Sequence, residues 1–158
     1  MIAVQLKDVG RLIIPDEIES VLRGYYQRRW QKERGGVLAG SLKEDGSWVL
    51  THVMPPSPKN RAGRYWHERN REAAQEYLDL LFAETQGTVV YLGDWHTHPE
   101  RSVEPSGPDT RMLADILTTG NIPTGFAIGI IVDSKKSLLI WRQILNDINH
   151  TNPEIFIL

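Results

Sequence analysis

The chain has 158 residues, a formal net charge of −2 and no cysteine. That length suffices for one domain spanning 1–158 with a sizeable core. The near-neutral charge gives no bulk attraction to nucleic acid, and the missing cysteines exclude disulfides, zinc fingers and thiol nucleophiles. No basic segment followed by a long apolar run opens the sequence, and the longest apolar run, 126–132, is too short to cross a bilayer. A soluble cytoplasmic protein without membrane or nucleic-acid partners is the expectation.

Pro15 followed by Asp16 and Glu17 reads as a helix start, since acidic side chains favour the positive end of the helix dipole. Ile18, Val21, Leu22 and Tyr25 then mark one helical face. Gly35-Gly36 breaks the pattern, and 37–39 reads as a short buried strand. A second strand is expected over 47–54, with Asp45-Gly46 as the turn before it. The Pro-rich stretch 55–64 is a loop by composition, long enough to be functional or mobile. From about 68 to 84 the pattern is helical, with Ala73, Ala74, Tyr77, Leu78, Leu81 and Phe82 as its apolar face.

The segment 88–95 is β-rich and leads into His96. A second amphipathic helix is predicted over 108–117, with Met112, Leu113 and Ile116 inward. Segments 126–132 and 138–143 read as a hairpin around 133–136, and 155–158 as a last edge strand. Helices alternating with strands and hairpins predict a mixed α/β class, one sheet flanked by helices.

The chemistry concentrates in His96-Thr97-His98-Pro99 and in Ser106-Gly107-Pro108-Asp109 after a short loop. Residues i and i+2 on a strand share a face, so His96 and His98 can aim both imidazoles at one ion. Asp109 is placed to complete a three-ligand site if the loop between folds back; an open fourth position would make the site catalytic. Ser106, Pro108 and Asp109 also read as Ncap, N2 and N3 of the helix. Upstream stands Glu33, in Glu-x-x-Gly-x-Leu-x-Gly.

With Glu33, His96, His98, Ser106 and Asp109 in this order, the chain resembles the JAMM metalloprotease family, also called JAB or MPN, over essentially its whole length. The resemblance implies a curved β-sheet flanked by helices and a Zn2+ ion held by His96, His98 and Asp109. It further implies Glu33 as the general base that activates water, and Ser106 as the hydrogen-bond donor to the oxyanion. The substrates it implies are proteins with an extended C-terminal tail, ubiquitin or ubiquitin-like. The run 91–100 is similar to the small prokaryotic JAB proteins of CBASS anti-phage operons, which implies an isopeptidase that removes a cGAS-like nucleotidyltransferase from its targets. Processing of another bacterial ubiquitin-like or sulfur-carrier protein, a non-catalytic MPN scaffold and a RadC-like DNA-associated protein are the alternatives. The intact five residues speak against the scaffold. Charge and the missing helix-hairpin-helix module speak against the last.

Other polar residues carry weaker signals. His67-Glu68 does not make a zincin helix, because Arg71 stands where the second His belongs. His52 and His150 read as structural or surface groups. Asp94 reads either as a carboxylate that orients a ligand or as a core-edge side chain with a backbone partner. Arg61 and Arg64 read as solvated, and Trp66, Trp95 and Trp141 as packing residues.

Overall fold

The computed structural model describes residues 1–147 and 154–158. Two short strands come first, β1 (Ile2–Leu6) and β2 (Gly10–Ile14), joined by a turn in which Asp8 has φ 62° and Gly10 φ 118°. Neither strand was expected, although Val4, Leu6, Leu12 and Ile14 show the period-2 burial of half-covered strands. Helix α1 (Asp16–Gly24) follows Pro15 with Asp16, Glu17 and Glu19 in its first turn, as its acidic start predicts.

Strand β3 (Gly35–Leu42) is longer than expected and begins at the two glycines rather than after them. The physical reason is close approach. A Cβ on Gly35 would lie 2.4 Å from the Trp95 carbonyl oxygen, and one on Gly36 2.8 Å from that of Met54. Here glycine is required by packing, not by a turn. Strand β4 (Trp48–Val53) matches its expectation.

Strands β5 (Arg61–Ala62) and β6 (His67–Glu68) form a small separate hairpin within and after the Pro-rich loop. Helix α2 (Arg71–Glu84) therefore starts later than the apolar pattern suggested, at the N-cap Asn70, whose side chain accepts from Ala73 N at 2.9 Å. Its buried residues are Ala74 and Leu81, whereas Phe82, expected inward, is 56% exposed. Strand β7 (Val90–Thr97) runs through His96, and helix α3 (Gly107–Thr119) follows with Leu113 and Leu117 as its buried residues. Strands β8 (Phe126–Val132), β9 (Leu138–Ile144) and β10 (Ile155–Ile157) complete the chain as read.

Eight strands make one mixed sheet in the order β1-β2-β4-β3-β7-β8-β9-β10. Among the described residues only β2–β4 and β7–β8 are parallel pairs. One face packs with α1 around Leu22, Leu38, Leu92, Trp95, Ile128 and Ile130. The other is covered by α2, through Ala74 and Leu81 on Val37 and Ala39, and by α3, through Leu113 and Leu117 on Ile131 and Trp141. This is the sheet flanked by helices that the sequence predicts.

Strand β7 carries one extra residue. Tyr91 faces Ala39 and Gly93 faces Leu38, so Leu92 is unpaired against β3. This bulge shifts the alternation, so that Tyr91, Asp94 and His96 all face α2 and α3 while Leu92 and Trp95 face the α1 side. At Gly93 a Cβ would sit 1.8 Å from the Ile128 carbonyl oxygen. Gly93→Ala is therefore expected to cost about 3 kcal/mol or more. Gly24→Ala, which meets nothing within 4 Å at the end of α1, should stabilise by up to about 1 kcal/mol. Urea unfolding of both variants checks the pair.

Candidate active site

The site lies where β3 begins and β7 ends. Gly35 pairs with His96, and beyond that pair Thr97 N donates to Arg34 O at 2.8 Å. Continuing the antiparallel register sets Glu33 opposite His98, and facing residues of such a pair project to the same side. Glu33 is also fixed by its own backbone, whose N–H donates to Gly63 O at 2.8 Å. The carboxylate of Glu33 and the imidazoles of His96 and His98 consequently offer donor atoms within 4.8 Å of one another.

Asp109 arrives from α3. Ser106 is the N-cap, and the pair forms a reciprocal capping box. Ser106 Oγ accepts from Asp109 N at 3.2 Å, and Asp109 Oδ2 accepts from Ser106 N at 2.8 Å. The cap holds the Asp109 carboxylate towards the histidines. Oδ1 lies 3.0 Å from His96 Nε2 and Oδ2 3.4 Å from His98 Nε2, while the two Nε2 atoms are 3.0 Å apart. A tetrahedral ion with bonds of about 2.0 Å needs its ligands about 3.3 Å apart. Two imidazoles and a carboxylate at these spacings fit a divalent metal, and all five residues singled out in the sequence line one cavity.

The electrostatics follow from burial. Glu33 is only 5% exposed. Burial pushes its carboxyl up to about 7, with His96 opposing the rise and the Asp109 carboxylate adding to it. Burial alone would also raise Asp109, but hydrogen bonds from His96 and His98 hold it well below the usual carboxylate range. Burial works against protonation of His96, yet its bond to Asp109 prevails and raises it. The cluster thus combines one firmly ionised carboxylate with one poised near neutrality, a division that suits a ligand and a proton carrier.

Several residues at the site were not legible beforehand. His67, dismissed as half of a zincin motif, stacks parallel to His96 with centroids 6.5 Å apart. Burial pushes it down to about 4, so it is a neutral imidazole. Asn60 Nδ2 lies 3.4 Å from its Nε2 and donates to Gly35 O at 3.1 Å. Ser102 Oγ lies 2.7 Å from His98 Nδ1. Nothing in the local sequence marks these partners, because the two-residue strands β5 and β6 and the loop at 99–105 are too short or too irregular to leave a periodic pattern. Trp95 and Trp141 are core residues, while Trp66, 50% exposed, packs over Gly63 within the hairpin and also lines the cavity. Arg61 and Arg64 are exposed, and His52 bonds its neighbour Thr51. His150 lies outside the described residues.

Both expectations for Asp94 are corrected. Its oxygens go to Arg69 Nε and, at 2.6 Å, to Tyr91 OH, not to a histidine or a backbone donor. The β7 bulge puts Tyr91 and Asp94 on one face, and burial together with the Asp94 charge raises the Tyr91 phenol well above its ordinary value. Arg69 directly precedes the cap of α2, so this buried network ties that helix to β7.

From the five residues the cavity continues between α2 and α3 along the face of β7, passing Leu78, Phe82, Ile116 and Ile122, with a volume of about 1130 Å3. Counted along the strand from Val90 to His98 at about 3.3 Å per residue, its floor is on the order of 25 Å long, the reach of an extended peptide.

Residues 15–144 match the family described as prokaryotic homologs of the JAB domain. A protein of Escherichia coli (strain TW11681) named CD-NTase/cGAS isopeptidase is 33% identical over 140 residues, 88% of this chain and 86% of that one. A protein of Sinorhizobium fredii (strain NBRC 101917 / NGR234) named probable metalloprotease y4qB is 29% identical over 105 residues, 66% of this chain and 64% of that one. The solution structure of DSY2949 from Desulfitobacterium hafniense superposes with a TM-score of 0.59, covering 90% of this chain and 89% of that one at 14% identity, which is a likeness of fold.

Removing one partner of a buried ion pair strands the other charge. Asp94→Ala should therefore lose about 3–5 kcal/mol of stability, and Tyr91→Phe about 2 kcal/mol from one bond to a charged acceptor. Chemical denaturation of each variant measures both, and a neutral Asp94→Ala would remove the network from any account of how α2 is held.

Proposed function

The chain belongs to the prokaryotic JAB-domain family, and from that premise we propose a zinc-dependent isopeptidase that frees a cGAS-like nucleotidyltransferase from its conjugates in a cytoplasmic CBASS antiviral system. The coarser statement stands by itself: this is a hydrolase of the metalloprotease class. The observation that carries the proposal is the meeting of Glu33, His96, His98 and Asp109 at the head of one long groove. The substrate class rests on the name of the Escherichia coli relative.

In this reading His96, His98 and Asp109 hold the zinc, and Glu33 is the general base. Bound there, zinc supplies a Lewis acid that lowers the pKa of a water towards neutrality. Glu33, buried and poised near pH 7, takes the proton of the attacking water and delivers it to the leaving amine. Ser106 uses its oxygen as the acceptor of the helix cap, so its hydrogen is available to the oxyanion that forms on the substrate carbonyl. The cap and the catalytic role use different atoms of one hydroxyl.

The groove gives the substrate its shape. An extended C-terminal tail laid along β7 would bring its last carbonyl to the metal end and its apolar side chains to Leu78, Phe82, Ile116 and Ile122. Cleavage then needs no second domain to find the bond, only a tail that is free of the substrate's own fold.

A nucleotidyltransferase C-terminus fused to a reporter protein tests the reading. The wild type should cleave it, and Glu33→Ala should not, while keeping its zinc, because it loses a base and no ligand. His98→Ala and Asp109→Ala should lose zinc as well, read by elemental analysis, and a chelator should inhibit. Zinc-loaded enzyme that leaves the fusion intact would redirect the assignment to another ubiquitin-like tail. For the groove, Phe82→Glu is an exposed change that should raise KM about tenfold and alter kcat less than twofold. An unchanged KM would place the tail elsewhere.

A further inference from the structure

We propose that Ser102, held by Asp133, is the positioning residue that orients His98 for metal binding. The inference rests on the reading of His98 as a ligand through Nε2.

His96 and His98 are fixed by different means. His96 lies within β7 and pairs with Gly35 on one side and Ile131 on the other. Strand β7 ends at Thr97, so His98 stands just beyond it, with one bond from its N–H to Val132 O at 3.0 Å. The His98 side chain is 18% exposed against 5% for His96, so less packing holds its ring about the side-chain torsions. A ring that turns moves its Nε2 away from Asp109, so the site needs a second anchor at the other ring nitrogen.

Ser102 supplies it. Its hydroxyl oxygen lies 2.7 Å from His98 Nδ1, and the residue is only 9% exposed. For Nε2 to offer a lone pair to a metal, the neutral ring must carry its proton on Nδ1. That N–H then donates to Ser102 Oγ, which selects the tautomer and the ring angle together.

The serine is itself placed from another part of the chain. Ser102 N donates to Asp133 Oδ2 at 3.1 Å, and Asp133 Oδ1 accepts from Lys135 N at 2.8 Å and Ser137 N at 3.0 Å. Asp133 is thus the keystone of the β8–β9 turn and buried within it. A further bond, Ser134 N to Glu100 O at 3.3 Å, ties the same turn to the same loop. With His98 N to Val132 O, three bonds stitch residues 98–102 to residues 132–134. The turn is a template against which the loop folds back over His98. It also accounts for a buried carboxylate whose three bonds are to backbone N–H groups.

The test is zinc affinity, measured on the whole protein by competition with a chromophoric chelator. Ser102→Ala should bind zinc about 10- to 100-fold more weakly, with the metal-free protein unfolding close to the wild type. Ser102→Thr, which keeps the hydroxyl, should restore most of the affinity. In zinc-loaded wild type the His98 Nδ1 proton should be visible by NMR and slow to exchange with solvent. Ser102→Ala binding zinc within twofold of the wild type would overturn the inference, and so would a His98 Nδ1 proton in fast exchange, an observation that needs no variant to fold. Wild type that binds no zinc at all would instead overturn the ligand reading, and this inference with it.

Discussion

The antiparallel pairing of β3 with β7 is the constraint on which the site depends. Glu33 and His98 are 65 positions apart in sequence, and only the ladder that sets Gly35 against His96 brings them to one face. Side chains alternate with period 2, so a slip of one residue would turn Glu33 to the opposite face of the sheet. One close approach opposes the slip, because Gly35 lies against the Trp95 carbonyl oxygen of β7 at a distance no Cβ allows. The register is therefore supported two residues from Glu33, so the packing of this stretch and the placement of its carboxyl are one requirement. The bulge in β7 adds a second consequence, since the resulting phase directs His96 and Asp94 to the face covered by α2 and α3 and Trp95 to the α1 side.

The remaining groups come from beyond the sheet, and each is held by its own short-range device. Asp109 is held by the capping box it shares with Ser106. The loop between His98 and Ser106 is held by the β8–β9 turn, reached because β7 and β8 run parallel and end at the same level. The hairpin β5–β6 closes the other side with Gly63 bonded to Glu33 N. Strand register provides coarse placement across the chain, and caps and turns provide fine placement at each residue. Neither alone would bring ring nitrogens and carboxylate oxygens to about 3 Å of one another.

This division explains what was legible in the sequence. Glu33, His96, His98, Ser106 and Asp109 could be picked out because their order matches the JAMM pattern that the chain resembles, Glu33 by that resemblance alone, and Ser106 with Asp109 also because a cap is local. Helix α1, the hairpin β8–β9 and the mixed sheet followed from periodicity. The failures have physical causes. Strands β1 and β2 hold too few alternating residues to stand out. Gly35-Gly36 looked like a breaker because glycine marks both turns and close approach, and only the neighbouring strand distinguishes them. Residues 68–70 continue the polar pattern of a helix, but Arg69 is drawn to Asp94 and Asn70 caps. Phe82 kept helical phase yet faces the groove. Ser102 was invisible because its partner in sequence terms, Asp133, is 31 residues away.

Burial of Glu33 is the costly step, since an ionised carboxylate is poorly solvated inside a protein. A base placed in water would hold its proton too weakly to return it to a leaving amine at neutral pH. The chain is held on both sides of this carboxyl, by the bond from Glu33 N to Gly63 O and by the β3–β7 ladder that starts two residues on at Gly35. Asp109 shows the opposite solution within a few ångströms. It too is partly buried, but hydrogen bonds from two imidazoles and a helix cap keep it ionised. Two carboxylates in one cavity thus acquire different chemistry from the bonds each is given, and those bonds are set by where β3 starts and where α3 starts. The positions where β3 and α3 start, more than the identity of the acids, decide which carboxyl is held ionised and which is poised near neutrality.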